Sequence, residues 1–421
     1  MIAGTTARRF PLVARSRPLC TALPARIGAL ADLAAKAHHH SDLTAAARVY
    51  NQAALIASDC GQPDLARQWC HRHARAWLNR RNLSTTPGRH VIEPLVNLAR
   101  LHIRAGEHDD GLALLTELYH AVAHRTDTTI DGIHLPTAAL TPTHETHRNL
   151  TQWLWTVHLA EGARVLTSAG RWDEAEAHLQ HHHGIGNRML DGRQVAIIAR
   201  IQRGQHEGAL RIIDQTQNGE AWEAAVGACL TAMCRVGGPR AVDIGLMAAR
   251  YQEMSADPPL IVFRTRLALS MIELAGGPSG HGVKVLARRT IDAAVTAMDG
   301  YAARDILSCS GWATTEPDAR QALLNVLAES GLDRPLPAPL LGRLTAVLAQ
   351  TDAVISNAEP ISASESDRAT PSPDAGGITR LRQWQHPAAE PQRRNAEKPD
   401  DRLLPVLPKL MPPPAAGPPH A

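Results

Sequence analysis

The segment Gly170-Arg-Trp-Asp-Glu-Ala175 returns 34 residues later as Gly204-Gln-His-Glu-Gly-Ala209, and both fit the pattern Gly-x-x-(Asp/Glu)-x-(Ala/Gly). The same pattern occurs twice earlier, at Gly61–Ala66 and at Gly106–Gly111. Each copy lies between two apolar segments with helical spacing. Glycine permits the positive φ that closes a helix, the acid can cap the next helix, and the small residue lets the two helices pack closely. The pattern therefore predicts helix hairpins repeated along the chain.

The four glycine-containing segments are here named the glycine corners. The residues between these corners favour helices over strands. Ala, Leu, Arg, Glu and Gln dominate them, and alternating runs of Val, Ile, Thr and aromatic residues are missing. One insertion interrupts the series at Thr126–His147, where Asp131-Gly132 and two prolines signal a loop. We therefore predict an all-α domain over residues 26–350.

The spacing of 34 residues resembles the period of tetratricopeptide repeats. Asn97–Gly106 resembles the first helix of such a repeat, with Ala99 at the small position where neighbouring helices touch, and Ala54 and Ala163 fall at the same register. More narrowly, the order of apolar and small residues is similar to that of helical-repeat proteins common in actinobacteria. The resemblance covers residues 42–217 and implies antiparallel helix hairpins stacked as a superhelical solenoid.

The resemblance also implies a concave wall lined by the first helix of each repeat. The family's groove positions, carried over by register, fall on Arg48, Asn51, Asn97, Arg100, Glu161, Arg164 and Gln194. Asn and Arg side chains suit a peptide backbone and an acidic group, which they bind by charge-assisted hydrogen bonds. The alternative is that these residues are only the polar faces of their helices. The resemblance implies a non-enzymatic scaffold that binds a protein or peptide, with a role in regulation.

Two other functions stay open at this stage. One is a sensor of a small peptide or metabolite that acts on a transcriptional regulator; no helix-turn-helix signature stands out, so the regulator would be a separate partner. The other is an enzyme or metal-binding protein with an unrecognised helical site. The sequence has no GxSxG, no P-loop lysine motif and no dinucleotide fingerprint after a strand. We therefore predict no catalytic residue and no cofactor.

Histidine is abundant, with 22 residues in several clusters. His178 and His182 stand four residues apart and His144 and His147 three, which places two imidazoles on one helix face as a metal site requires. Adjacent histidine triplets, in contrast, spread around a helix and cannot all bind one ion. We interpret the clusters as solvated helix ends and predict no metal site.

The two ends of the chain differ from its middle. Residues 1–25 are rich in Pro and Arg, and no acid precedes Asp32. Three interpretations of this leader compete: a twin-arginine export signal, which Pro11 and Arg15 interrupt, a basic arm for nucleic acid, and a disordered leader or an early start codon. We favour the last. Residues 351–421 are rich in Pro, Ala and Ser, and we predict a disordered tail there.

The net charge and the cysteine content indicate which classes of partner and which cellular compartment to expect. The net charge of +3 argues against nucleic acid as a direct partner, and no apolar run reaches the roughly 20 residues of a membrane span. The six cysteines form no CxxC pair and lie among apolar residues, where a thiol packs as a small hydrophobic group. We therefore expect a cytoplasmic protein, and the sequence gives no indication of its oligomeric state.

Overall fold

The computed structural model describes residues 6–80, 83–217, 219–278, 283–309 and 317–357. These residues form seventeen α-helices, two short 3₁₀ helices (Leu83–Thr85 and Pro258–Leu260) and one two-stranded hairpin, which confirms the all-α class. The helices are α1 (Leu23–His40), α2 (Leu43–Asp59), α3 (Pro63–Leu78), α4 (Gly88–Ala105), α5 (His108–His124), α6 (Thr137–Leu140), α7 (His144–Ser168), α8 (Trp172–His181), α9 (Asp191–Gln202), α10 (His206–Asp214), α11 (Ala221–Met233), α12 (Ala241–Gln252), α13 (Ile261–Leu274), α14 (Lys284–Thr296), α15 (Gly300–Leu307), α16 (Pro317–Ser330) and α17 (Ala338–Asn357).

The four glycine corners close helices as the sequence predicts. Gly61, Gly106, Gly170 and Gly204 have φ of 69°, 83°, 76° and 74°, the left-handed region that glycine adopts without steric cost. They separate the pairs α2/α3, α4/α5, α7/α8 and α9/α10, whose members pack against each other. These four corners are therefore helix-hairpin turns.

The small residue of the corner pattern lies at the contact between the two helices. Ala66, Ala175 and Ala209 are each fully buried. The fourth copy has Gly111, where an added Cβ would lie 3.2 Å from the backbone oxygen of Ala99 on the preceding helix. A side chain at Gly111 would therefore push α4 and α5 apart.

The acid of the corner pattern is not a helix cap, which corrects the sequence-based prediction. The cap positions are Gln62, Glu107, Arg171 and Gln205, and none of them makes a side-chain cap hydrogen bond. The acids lie two residues further on, within the first turn, where a carboxylate still interacts favourably with the positive end of the helix.

The insertion predicted as a loop over Thr126–His147 contains a β-hairpin and the short helix α6, and α7 already begins within it at His144. Its strands β1 (Thr128–Ile130) and β2 (Ile133–Leu135) are antiparallel, with Ile130 opposite Ile133. Asp131 and Gly132 both have positive φ, as a two-residue type I′ turn requires. The Asp131 carboxylate also pairs with Arg67 and accepts from His71 at 2.8 Å, so the hairpin tip is tied to α3.

The described residues form two hydrophobic cores, and each combines segments that are far apart in the sequence. The first core is formed by α1–α5, the hairpin and part of α7, and it also contains apolar residues of α17. The second core extends from the end of α7 to α16 and contains Ala7, Phe10 and Leu12. Because α17 packs on α1, α2 and α3, the described helices do not form an open series from first to last.

A buried carboxylate joins the first helices to the later ones. Asp59, at the end of α2, accepts hydrogen bonds from Arg26 at 2.6 Å, from Arg104 at 3.2 Å and from the Tyr301 hydroxyl at 2.5 Å. Its backbone carbonyl accepts from the N–H of Asp333 at 2.8 Å. One side chain thus links α1, α2, α4 and α15.

The structure extends the folded region beyond both of the predicted limits of the helical domain, residues 26 and 350. Residues 6–20, predicted to be part of a disordered leader, pack against α9, α13 and α15 through contacts described below. Helix α17 continues to Asn357, with Thr351, Val354 and Ile355 buried, so its last turns replace the start of the predicted tail. Residues 358–421, which carry the rest of the tail prediction, lie outside the described residues. Among the described helices, none combines the length and the apolarity needed to cross a membrane.

Candidate functional site

Five of the seven predicted groove residues form one polar network across three helices. Asn97 on α4 donates to Asn51 on α2 at 2.9 Å, and Arg100 donates to the Asn97 side-chain oxygen at 2.9 Å. Two guanidinium nitrogens of Arg100 then bind one carboxylate oxygen of Glu161 on α7, at 3.0 and 2.8 Å. Arg164 lies 3.5 Å from the other carboxylate oxygen. These five side chains therefore lie on one continuous surface.

The network continues beyond the predicted residues at its α2 end. Asn51 donates to Glu93 at 2.9 Å, and Glu93 accepts from Arg89 at 2.8 Å. The sequence reasoning missed Arg89 and Glu93, although Glu93 lies one turn and Arg89 two turns before Asn97 on α4. Their four-residue spacing, an Arg-Glu pair on one helix face, was the signal that could have identified them.

The electrostatics of the network centre on Glu161. Burial of this carboxylate disfavours its charged form, but the charges of Arg100 and Arg164 outweigh that effect and lower the pKa of Glu161 to about 2. The side chain of Glu161 is 9% exposed, while those of Arg100 and Arg164 are more than 40% exposed. The surface therefore presents two water-accessible guanidinium groups that a buried carboxylate holds in place.

Arg48, another predicted groove residue, lines a second concavity between α1 and α2. The other residues that line it are Ala29, Asp32, Leu33, Lys36 and Gln52.

Gln194, the last of the predicted groove residues, binds the backbone of Leu12 in the same chain. Its side chain is fully buried in α9, where its Oε1 accepts from the N–H of Leu12 at 2.7 Å. Its Nε2 donates to the carbonyl of Leu12 at 2.7 Å and to that of Met189 at 3.0 Å. A side-chain amide that pairs with both backbone groups of one residue binds that residue as a neighbouring strand would.

Further contacts hold residues 6–20, here named the N-terminal segment, against the later helices. Phe10 and Leu12 are 3% and 4% exposed and belong to the second core. Arg15 pairs with Asp191 at 2.7 Å, and Arg9 pairs with Glu273. The N–H of Cys20 donates to Asp299 at 2.8 Å. Apolar burial and ion pairs thus both fix this segment.

An arginine-lined concavity of about 140 Å³ lies between the N-terminal segment and helices α7, α9 and α13. Its charged lining consists of Arg8, Arg9, Arg15, Arg17, Arg164, Arg266 and Asp191. Arg9, Arg15, Arg164 and Arg266 each have an acidic partner. Among the residues that the structure describes, Arg8 and Arg17 have no ion pair. The concavity therefore carries an excess of positive charge.

Arg17 is accessible to water, yet protein surrounds it on several sides. This desolvation, together with repulsion from Arg164, Arg266 and Arg15, lowers the pKa of Arg17 to about 10. Arg17 remains charged at neutral pH, and an anion placed beside it would relieve the repulsion. The concavity thus suits a carboxylate or phosphate group.

Several histidines that the sequence analysis singled out have structural partners. His147 lies 2.9 Å from the carbonyl of Val122, and His71 lies 2.8 Å from Asp131. His178 and His182 do share one helix side, and His158 of α7 lies against both. The sequence reasoning did not include His158, because it stands twenty residues before His178 on a different helix.

No family model matches this chain, and no curated protein or solved structure is significantly similar to it. The resemblance to tetratricopeptide repeats therefore stays a prediction, supported by the glycine corners and the register of the network.

Proposed function

We propose that this chain is a non-enzymatic helical-repeat protein of tetratricopeptide-like superhelical type, which binds extended peptide segments on the surface formed by α2, α4, α7 and α9. The observation that carries the proposal is the pairing of Gln194 with both backbone groups of Leu12. A position that the predicted repeat register assigns to ligand binding is there in contact with a peptide backbone. The chain's own N-terminal segment thus serves as an example of the ligand class.

The charges of the surface favour an acidic ligand. Arg100 and Arg164 on the network are accessible to water, and Arg17 nearby has no acidic partner among the described residues. A carboxylate on the bound peptide would gain two or more charge-assisted hydrogen bonds from such groups. We therefore propose a protein or peptide partner that presents an acidic residue beside an extended stretch.

A regulatory role follows if ligand and N-terminal segment compete for the same surface. A peptide that displaces the segment would expose Phe10 and Leu12, which are buried in its presence. A second protein could recognise these exposed apolar side chains. A transcriptional regulator is the class of partner that we favour. The six cysteines form no disulfide and five of them are buried, which is consistent with action in the reducing cytoplasm.

A display selection tests the proposal. The full chain is immobilised and challenged with a library of random peptides, and the affinity of synthetic copies of the enriched peptides is measured. We expect enrichment of peptides with an acidic residue, and loss of binding in the double variant Asn97→Ala/Arg100→Ala that keeps its helical circular dichroism. Arg211→Ala, 69% exposed on α10, is the matched control and should bind as the parent does. Undiminished binding by the folded double variant would reject this surface as the site.

A further inference from the structure

Three imidazoles from two helices converge at the side of the α7/α8 hairpin. His158 lies on α7, His178 lies on α8, and His182 immediately follows α8. One ring nitrogen of each lies within 4.8 Å of one ring nitrogen of both others. The ring centroids are 4.9, 4.8 and 5.0 Å apart.

The interior member of this group has an unmet hydrogen-bonding requirement. His158 is 1% exposed, and its Nδ1 has no hydrogen-bond partner among the described residues, while Nε2 lies 3.2 Å from the Thr116 hydroxyl. A buried polar nitrogen without a partner costs roughly 1–3 kcal/mol. Such an atom calls for an explanation, and a bound ion is one of the usual ones.

The backbone is shaped around one of the three rings. Gly162 lies one turn after His158 on α7, and a Cβ added there would lie 2.6 Å from Nε2 of His178. His178 Nε2 also lies 3.3 Å from the carbonyl of His158. A ligating histidine usually has such a backbone contact on its other nitrogen, because that contact fixes the orientation of the ring.

We propose that His158, His178 and His182 bind one divalent cation of the zinc class and that the bound ion cross-links α7 to the end of α8. Three imidazoles are a known zinc ligand set, with the fourth position left to water. Zinc–nitrogen bonds of about 2.0–2.1 Å place ligand nitrogens about 3.3 Å apart, so small ring rotations close the remaining distance. The site is distinct from the polar network and from the arginine-lined concavity.

Zinc titration of the full chain tests this proposal. The chain is prepared without a histidine tag, stripped with a chelator and titrated with ZnCl₂ by calorimetry. We expect one site per chain, and a weakening of that site by about 100-fold or more in His182→Ala and in His158→Phe. The phenylalanine preserves the stacking of the buried ring on Tyr119. Since His158→Phe can disturb the core, His182→Ala, at the half-buried edge, decides the outcome if the first variant fails to fold.

Two control variants separate this site from the other histidines. His39→Ala removes an exposed member of the His38–His40 triplet, and His134→Ala removes an exposed histidine of β2. Both should bind zinc as the parent does, and cobalt added to the parent should give the visible bands of a tetrahedral ion. Equal zinc affinity of His182→Ala and the parent, or loss of the site in either control, would overturn the proposal, as would binding of no stoichiometric ion by the folded parent.

Discussion

Gln194 binds Leu12 across 182 residues of sequence, and its side-chain amide satisfies both backbone groups of that residue at 2.7 Å each. The contact is buried, so neither group can exchange its partner for water without local opening. The position of the N-terminal segment on the repeat surface therefore depends on this side chain.

Replacement of Gln194 by Ala should loosen the N-terminal segment. The variant leaves the buried N–H and C=O of Leu12 without partners, which costs about 1–3 kcal/mol for each group. We expect faster hydrogen exchange at residues 6–20 and little change in α1–α4. The matched control is Gln202→Ala, an exposed residue at the end of the same helix. Unchanged exchange at Leu12 in Gln194→Ala would contradict this account of the contact.

Asp59→Asn should destabilise the whole fold. The Asp59 side chain is 2% exposed and faces Arg26, which is 10% exposed, so the substitution leaves a nearly buried cation without its countercharge. Loss of one partner from such a pair costs about 3 kcal/mol. The urea midpoint of unfolding measures this loss. Asp64→Asn, an exposed acid in the first turn of α3, should lower stability by less than about 1 kcal/mol. Similar losses in the two variants would refute a central role for Asp59.

The Glu161 carboxylate should give the protein a pH-dependent component of stability. Its pKa in the folded state is lowered to about 2 from the ordinary 4.5, so folding favours the deprotonated form. That stabilisation is complete above about pH 5 and is lost as the pH falls from 4.5 towards 2. We expect the unfolding free energy of the parent to fall more steeply than that of Glu161→Gln in this range. The difference should reach on the order of 2–3 kcal/mol.

The matched control for this titration is Glu207→Gln, which changes a side chain that is 95% exposed. Its unfolding free energy should follow that of the parent from pH 6 to pH 3. If Glu161→Gln also follows the parent throughout, the ion pairs with Arg100 and Arg164 do not stabilise the fold.

Asp352→Ala should loosen the packing of α17 on α1, α2 and α3. Asp352 on α17 accepts hydrogen bonds from the Tyr50 hydroxyl and from Nε of Arg72, the latter at 2.9 Å. Both ions are about one-third exposed, so solvent screening limits the loss to about 1 kcal/mol. We expect faster hydrogen exchange in α17. Gln350→Ala, exposed on the same helix, should leave exchange unchanged, and equal behaviour of the two variants would show that apolar packing alone holds α17.

The local features of the fold could be predicted from the sequence because they depend on neighbouring residues. Gly61, Gly106, Gly170 and Gly204 end helices where the pattern indicates, since the requirement for positive φ is set within one turn. The prediction of the helix caps at these corners was less accurate. The acids at the corners lie in the first helical turn instead of at the cap, a difference of two residues that propensity does not resolve.

The long-range features could not be predicted in this way. The leader's composition suggested disorder, but Phe10 and Leu12 fill space in a core made by helices more than 150 residues away. Asp352 and Tyr50 are likewise brought together only by the return of α17 to α2. The periodicity of a sequence segment does not indicate which other segment of the chain it packs against.

The candidate site shows the same difference between predictable and unpredictable features. Asn51, Asn97, Arg100, Glu161 and Arg164 could be selected together because the predicted repeat register aligns them, and the structure brings all five into contact. Arg48 was selected by the same rule and lines a second concavity between α1 and α2. The partner of Gln194 and the approach of His158 to His178 depend on tertiary contacts that no repeat register encodes.

The most direct measurement of the central claim uses the N-terminal segment as a ligand in trans. A fluorescent peptide with the sequence of residues 6–20 is titrated into the parent chain, into Phe10→Ala/Leu12→Ala, and into the same double variant with Gln194→Ala added. Because the parent surface is occupied, we expect it to bind the peptide at least about tenfold more weakly than the double variant does. Addition of Gln194→Ala should abolish the binding. Equal affinity for all three chains would contradict the account, since the surface would then not recognise an extended backbone through Gln194.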